Sequence, residues 1–234
     1  MPTIDSTTTQ GGYLQNQLST STTLWSDIVD GTVTTATFIA GDPTYIYTQA
    51  GVIGSRTTDW LNSRASLVFD TSGITGTVIA LTFNIYIQSY FNTYYNPGAY
   101  VEIVSDPTLS NILASSDWVP GITGLAASSP LAPGGSGFWL GTGLNSTAFS
   151  YAETYNEMTL RLRDAYYDYE YSTNVTDPTD DGYIGYRFNY SGFIPYLDYQ
   201  VATAFGQTIN GTIIANVGKI DGKSKNAIVR VLGV

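Results

Sequence analysis

Alternation of apolar and polar positions dominates this chain, and it is sharpest over residues 64–88, RASLVFDTSGITGTVIALTFNIYIQ. In the second half of that stretch Leu81, Phe83, Ile85 and Ile87 fall on one face, and Thr82, Asn84, Tyr86 and Gln88 on the other. A period of two is that of a β-strand with one side in a core and the other in water. The residues from Arg64 to Phe69 read as a preceding strand. Between the two, Asp70, Thr71, Ser72 and Gly73 supply turn chemistry, because Asp and Ser bond nearby backbone groups and Gly accepts positive φ. The expectation is a hairpin on which the rest of the body packs.

The same period recurs along the chain. TYIYT sets Ile46 against Tyr45 and Tyr47, and YVEIV turns Val101 and Ile103 inward. EMTLRLRDA alternates Met158, Leu160 and Leu162 with Thr159, Arg161 and Arg163. YIGYRFNY aligns Ile184, Tyr186, Phe188 and Tyr190, and YLDYQV aligns Leu197, Tyr199 and Val201. Asp42 with Pro43, and Asn96 with Pro97 and Gly98, punctuate the strands as turns. Residues 105–148 are long and irregular, with Trp118, Phe138 and Trp139 as points that pack down. A helix fits only around 150–156. Many strands at short spacing predict an all-β protein, a single jelly-roll-like antiparallel β-sandwich over residues 25–205. A Thr-, Ser- and Gln-rich arm or edge strand (1–24) precedes it, and an extended β-rich tail (206–234) follows.

The tail repeats with a period of 11. Ile209 and Ile220 correspond, as do Gly211 and Gly222, Val217 and Ile228, and Lys219 and Arg230. Glycine in each unit argues against a helix, and Asn210-Gly211 and Asp221-Gly222 are hairpin-turn dipeptides. Two units are too few to bury a core of their own, so the tail is expected to complete its hydrogen bonds against a partner.

Charge divides the chain at the same place. Residues 1–208 carry five basic residues, all Arg, against eighteen acidic ones, a net −13, whereas residues 209–234 carry four basic residues against Asp221, a net +3. An acidic body without lysine repels a phosphate backbone, so nucleic acid is not an expected partner. Charged residues make up only 12% of the chain, so solubility rests on Thr, Ser, Asn, Gly and Tyr, a composition found on extracellular and virion surfaces. The N-terminal residues show neither a basic nor an apolar region of a secretion signal. No apolar run approaches the ~18 residues of a membrane span. The expectation is a protein that reaches the outside by assembly, at a virion surface, with a processed extracellular precursor as the alternative.

Cysteine and histidine are both absent, which removes disulfides, zinc-thiolate sites, histidine-ligated metals and the usual nucleophile–histidine catalysis. Four Glu exist, and nothing in the sequence sets Glu153 and Glu157 across a cleft, so an enzyme is not expected. Asp177, Asp180 and Asp181 could offer oxygen ligands to Ca²⁺, the alternative being a solvated Asp/Pro/Gly turn; no other cofactor is implied. Two tyrosine-rich groups are the candidate contact surfaces. One is Tyr90, Phe91, Tyr94 and Tyr95; the other is Tyr166, Tyr167, Tyr169 and Tyr171, of which strand alternation would place Tyr167, Tyr169 and Tyr171 on one face opposite Asp168 and Glu170. Aromatic rings with hydroxyls suit sugars and protein partners alike, and equally suit packing inside strands.

Trp25-Ser26-Asp27-Ile28-Val29-Asp30-Gly31, followed by SLVFDTSGITGTVIALTFNIYI and a closing FIPYLDYQV, resembles the "FDTS-x-I" β-sandwich domains of phage virion and prokaryotic surface proteins. Those are related in pattern to DNRLRE-like and carbohydrate-binding-module-like sandwiches. The resemblance runs from Leu24 to Thr203, departing at Leu81-Thr82-Phe83 and in 105–148. The tail is similar to the "INGxxIAxIxKING" repeats that end many phage structural proteins. Together they imply a capsid decoration or tail/fibre component that meets other virion proteins and copies of itself. Binding of cell-surface glycans, or a secreted surface or filament subunit, is the alternative. No catalytic residue is implied.

Overall fold

The strand period read at 81–88 is realised residue by residue: Leu81, Phe83, Ile85 and Ile87 are buried, while Thr82, Asn84, Tyr86 and Gln88 are half-buried on the opposite face. The computed structural model describes residues 2–6, 12–19, 24–31, 37–40, 45–53, 59–91, 98–104, 122–131, 136–169, 183–189, 192–202, 208–209, 212–213, 219–220 and 223–224. The chain divides into two compact units, Met1–Val201 and Ala202–Val234.

The first unit is all-β and sandwich-like. In chain order its strands are β1 (Thr3–Asp5), β2 (Gly12–Ser19), β3 (Thr37–Ala40), β4 (Tyr45–Ile53), β5 (Asp59–Asp70) and β6 (Val78–Phe91). Then follow β7 (Ala99–Val104), β8 (Ile122–Leu125), β9 (Phe138–Gly143), β10 (Glu157–Asp164), β11 (Tyr183–Asn189) and β12 (Tyr196–Val201). They pair antiparallel in the order β1-β12-β6-β11-β4-β5-β10-β7-β8, with β2 and β3 added beside β5 and β9 beside β6. Ser6, just past β1, pairs with Phe69 of β5, so the path of strands returns to its middle and folds over one core. The N-terminal residues thus contribute two strands to the body's sheet.

The stretch 64–88 is not a hairpin. Among the described residues β5 pairs with β2, β4 and β10, and β6 with β9, β11 and β12, so the two strands lie in different layers. Their rings meet across the core instead, Phe69 against Phe83 edge-to-face at 6.1 Å. The connection over 71–77 is far longer than the two residues of a tight hairpin; besides a local bond from the Ile74 N–H to the Thr71 carbonyl at 2.9 Å, it is tied to a neighbouring segment. Thr71 donates through its hydroxyl to the Tyr155 carbonyl at 2.6 Å and through its N–H to the Asn156 carbonyl at 2.8 Å. The Val78 N–H donates to Glu153 Oε1 at 2.6 Å. The turn residues were legible; that they close an arch between layers was not.

The main core gathers the inward residues of both layers, among them Leu67, Phe69, Phe83, Ile85, Val101, Ile103, Met158, Leu160, Leu162, Phe188 and Leu197. Every alternation named above for β7 and β10 places its apolar residues there. A second cluster lies on the outer side of β2, β4 and β5, where a short helix α1 (Trp25–Val29) packs Trp25, Ile28 and Val29 against Leu14 and Ala50. The Asp27 carboxylate accepts the Leu24 N–H at 3.3 Å, satisfying one donor at the helix start. β5 is consequently buried on both faces over residues 61–69.

Within 105–148, expected as irregular, residues 105–121 lie outside the described set, but β8, β9 and the start of helix α2 (Ser146–Thr154) are regular. The strand signal of β9 is diluted by Gly141 and Gly143, poor strand formers that are held by pairing with β6 over Thr82–Ile87 in register. Helix α2 begins a few residues before the expected 150–156. Asn145 caps it by accepting the Ala148 N–H at 3.1 Å, and Ala148, Tyr151 and Ala152 form its buried face.

The second unit contains two short antiparallel pairs, β13 (Thr208–Ile209) with β14 (Thr212–Ile213) and β15 (Lys219–Ile220) with β16 (Lys223–Ser224). Each pair is separated by two residues of sequence, and Ile209 and Ile220 occupy the same place in each, so the 11-residue repeat is a repeat of pairing as well. No helix among the described residues is long and apolar enough to cross a membrane.

Candidate functional site

Three of the body's five arginines converge on the outer side of β5, β7 and β10. Arg64 comes from β5, Arg161 and Arg163 from β10, and Glu102 from β7, directly opposite Arg161. Asp168 comes from a single π-helical turn (Ala165–Tyr169) that follows β10. Arg64 grips Asp168 with two parallel bonds, Nε to Oδ2 at 2.8 Å and Nη2 to Oδ1 at 2.6 Å, and Nη2 also donates to the Val29 carbonyl of α1 at 2.8 Å. Arg161 donates from Nε and Nη2 to Glu102 Oε2 at 2.8 and 2.6 Å. Arg163 joins the halves, reaching Asp168 Oδ1 at 2.8 Å and Glu102 Oε1 at 3.4 Å.

Arg64, Glu102, Arg161 and Asp168 are all buried. Burial alone would raise the Asp168 carboxyl, but Arg163 and Arg64, with their hydrogen bonds, hold it far below the usual carboxylate range. Burial, opposed by Asp168, lowers Arg64 to about 10, and Arg64 remains cationic at neutral pH. Burial likewise lowers Arg161 against the pull of Glu102, whereas for Arg163 the acids outweigh burial and raise it. The network clamps helix α1 and the π turn to the sheet. Of its five side chains only Arg163 keeps part of its surface open to solvent.

This turn also carries part of the second tyrosine group. Strand alternation does not continue past Asp164; the backbone coils, Asp168 turns inward, and Tyr169 lies on the Tyr100 ring at 4.2 Å with the Arg163 guanidinium 5.6 Å from its ring centre. Two guanidiniums hold the one carboxylate there, and that of Arg64 comes from 104 residues away, which no local pattern reveals. Tyr167 belongs to the same turn, and Tyr171 lies outside the described residues. In the first group Tyr90 and Phe91 extend β6, paired with Tyr186 and Gly185 of β11. Tyr94 and Tyr95 lie outside the described residues, as do Asp177, Asp180 and Asp181, and so do Gly211, Val217, Gly222, Ile228 and Arg230 of the tail. Among the described residues no group of three or more acidic side chains is placed to hold a metal ion.

A different aromatic group is assembled on the outward face of the layer formed by β1, β12, β6 and β9. Tyr86 of β6 is directly opposite Trp139 of β9, their rings 5.8 Å apart edge-to-face. Phe193, from the loop before β12, stacks on Tyr86 at 4.0 Å and 10°. Trp139 leans across β6 to meet Tyr196 of β12 at 5.1 Å and Phe193 at 6.1 Å. None of these four rings belongs to either core cluster. Trp139 is 39% exposed and Phe193 40%.

Beside the rings the surface turns polar and low. Asn84 faces Gly141 on one side and Tyr196 on the other, and Thr82 faces Gly143 and Asp198. Asn84 Nδ2 donates to Asp198 Oδ2 at 3.1 Å. A Cβ on Gly141 would stand 2.8 Å from Asn84 Oδ1, so a glycine is what lets the carboxamide lie across the strand. Alternation along β6 puts Asn84 and Tyr86 on the polar face; that Trp139 and Phe193 join them follows only from pairing with β9 and β12.

A shallow cleft of about 500 Å³ at the end of the layers is lined by Asp70, Ser72, Thr154, Tyr155, Asn156 and Glu157. Asp70 and Glu157 are opposite one another across β5 and β10. The Asp70 carboxyl is lowered by hydrogen bonds from the Ser72 hydroxyl and backbone. Glu153 points elsewhere, capping Val78. The cleft therefore reads as the anchored end of the arch. Comparison with protein-family models gives no match, and comparison with curated proteins gives none either.

Proposed function

We propose that this chain is a structural protein of a phage-like virion, a capsid decoration or tail/fibre component that displays the body outward and is anchored by its C-terminal tail. The observation that carries this reading is the division of the chain at residue 201, between an acidic β-sandwich with its own core and a basic tail whose described residues form two-residue strand pairs. Pairs of two-residue strands make few ladder bonds of their own, and adding such strands to a neighbour's sheet edge would supply more. The positive tail suits an acidic surface, such as the body of a neighbouring copy. The resemblance of 24–203 to "FDTS-x-I" domains, the jelly-roll-like reading of the sandwich and the phage-type repeats point the same way. Such a protein works by binding and assembly.

Antibodies raised against the body, used to label particles from the source material in electron micrographs, test this. Regular labelling of a capsid, tail or fibre supports the proposal. Particles that lack the chain, or a chain found only free or in unrelated filaments, would overturn it. A second reading, attachment to cell-surface glycans, is favoured by the outward cluster of Tyr86, Trp139, Phe193 and Tyr196, in which Trp139 and Phe193 are exposed, and is compatible with display on a virion.

A further inference from the structure

We infer that the outward face of β6, β9 and β12 is a binding site for a neutral hexose-containing glycan, with Trp139 and Phe193 as its stacking surface and Asn84 and Asp198 as its hydrogen-bonding pair. This rests on the glycan-attachment reading and locates it away from both tyrosine-rich segments.

Four aromatic rings gathered on the solvent side of a sheet require an explanation that core packing does not supply, since the inward residues of the same strands already fill the core. Trp139 and Phe193 keep about two-fifths of their surface open to solvent. The ring cluster is pre-formed, each member fixed by at least one neighbour, so a ligand would meet it without ordering it. Next to Trp139 the two outward positions of β9 are Gly141 and Gly143; the Asn84 carboxamide lies over the first, with Thr82 beside it, and the space over the second is open. Asn84, bonded to Asp198, is thus the low polar surface next to the rings.

The chemistry of the ligand follows from the groups that face it. The apolar CH face of a pyranose stacks on an exposed ring, and its hydroxyls donate to carboxylate and carboxamide oxygens. At the outward positions of the described strands of this face, Thr3, Asp5, Thr82, Asn84, Tyr86, Gln88, Trp139, Gly141, Gly143, Tyr196, Asp198 and Gln200, the charged residues are two carboxylates and no cation. Asp5 is directly opposite Tyr196. Such a surface repels sialic acid, uronic acids and phosphate-bearing glycans, and accepts the hydroxyl donors of neutral hexoses. The same argument disfavours an acidic second copy of the body as the occupant.

The test uses the full chain on an array of neutral hexose oligosaccharides and of sialylated, uronic-acid and phosphorylated glycans, with hits followed by titration of tryptophan fluorescence. The expected result is saturable binding to neutral members, weakened roughly tenfold or more in Trp139→Ala and in Phe193→Ala. Phe193→Ala guards against misfolding as a cause, because Phe193 sits in a loop outside the core, and both variants are to be checked for unchanged circular dichroism. Neutral-glycan binding that survives both substitutions would overturn this site while leaving the attachment reading intact. Absence of binding to every glycan would overturn both. Binding confined to acidic glycans would overturn the ligand class, and a concentration-dependent dimer abolished by Trp139→Ala would show that a second copy occupies the face.

Discussion

Asn84 and Gly141 face each other across β6 and β9, and the side chain of one occupies the space that the other lacks: a Cβ at Gly141 would come within 2.8 Å of Asn84 Oδ1. Gly141→Ala should therefore push the carboxamide off the strand and break its 3.1 Å bond to Asp198. We expect the Asn84 side-chain amide resonances to shift in NMR spectra and glycan affinity to fall, with the fold retained. An unmoved Asn84 amide in the variant would show that the close approach is not maintained in solution.

Asp168 is the hinge of the buried charge network, since Arg64 and Arg163 both spend their strongest bonds on it. Asp168→Asn leaves the buried Arg64 guanidinium, and the partly exposed one of Arg163, facing a neutral amide. Breaking a buried pair by removing one partner costs about 3–5 kcal/mol, and a loss of that order is expected in urea unfolding. The helix α1, reached through Arg64 and the Val29 carbonyl, should loosen with it, visible as faster amide exchange over residues 25–30.

The same carboxylate makes stability fall in acid. Its folded-state pKa lies below the unfolded value of about 3.9, so the unfolded chain takes up the proton first. The contribution is complete above about pH 5 and is lost as pH falls through 4 toward 2. Urea midpoints of the parent and of Asp168→Asn, measured from pH 7 to pH 2.5, should therefore converge at the acid end. A gap that stays constant to pH 2.5 would mean that Asp168 is not held ionised by its arginines.

Much of the fold was legible because half-buried strands write themselves as a period of two. Leu81 to Ile87, Met158 to Leu162, and Val101 with Ile103 all lie where alternation put them. What alternation cannot convey is which strand neighbours which. Residues 64–88 carry every sign of a hairpin, yet β5 and β6 part into two layers because Thr71 and Val78 are tied to α2 and its following turn. The same limit hid both outer-face features. Arg64 and Asp168 are 104 residues apart, and Tyr86, Trp139 and Phe193 come from three separate segments that only the strand order brings together. A usable signal did exist: in a body with five arginines, finding two at alternate positions of one strand marks a place where charge is being spent deliberately.

The body, through Val201, forms a compact unit, and the basic repeats follow it. The decisive measurement is the copy number of the chain on assembled particles when residues 209–234 are deleted, with circular dichroism confirming that the shortened protein is folded. The account predicts a soluble, folded body that fails to incorporate, and recovery when the tail is restored. Normal incorporation of the shortened chain would contradict it.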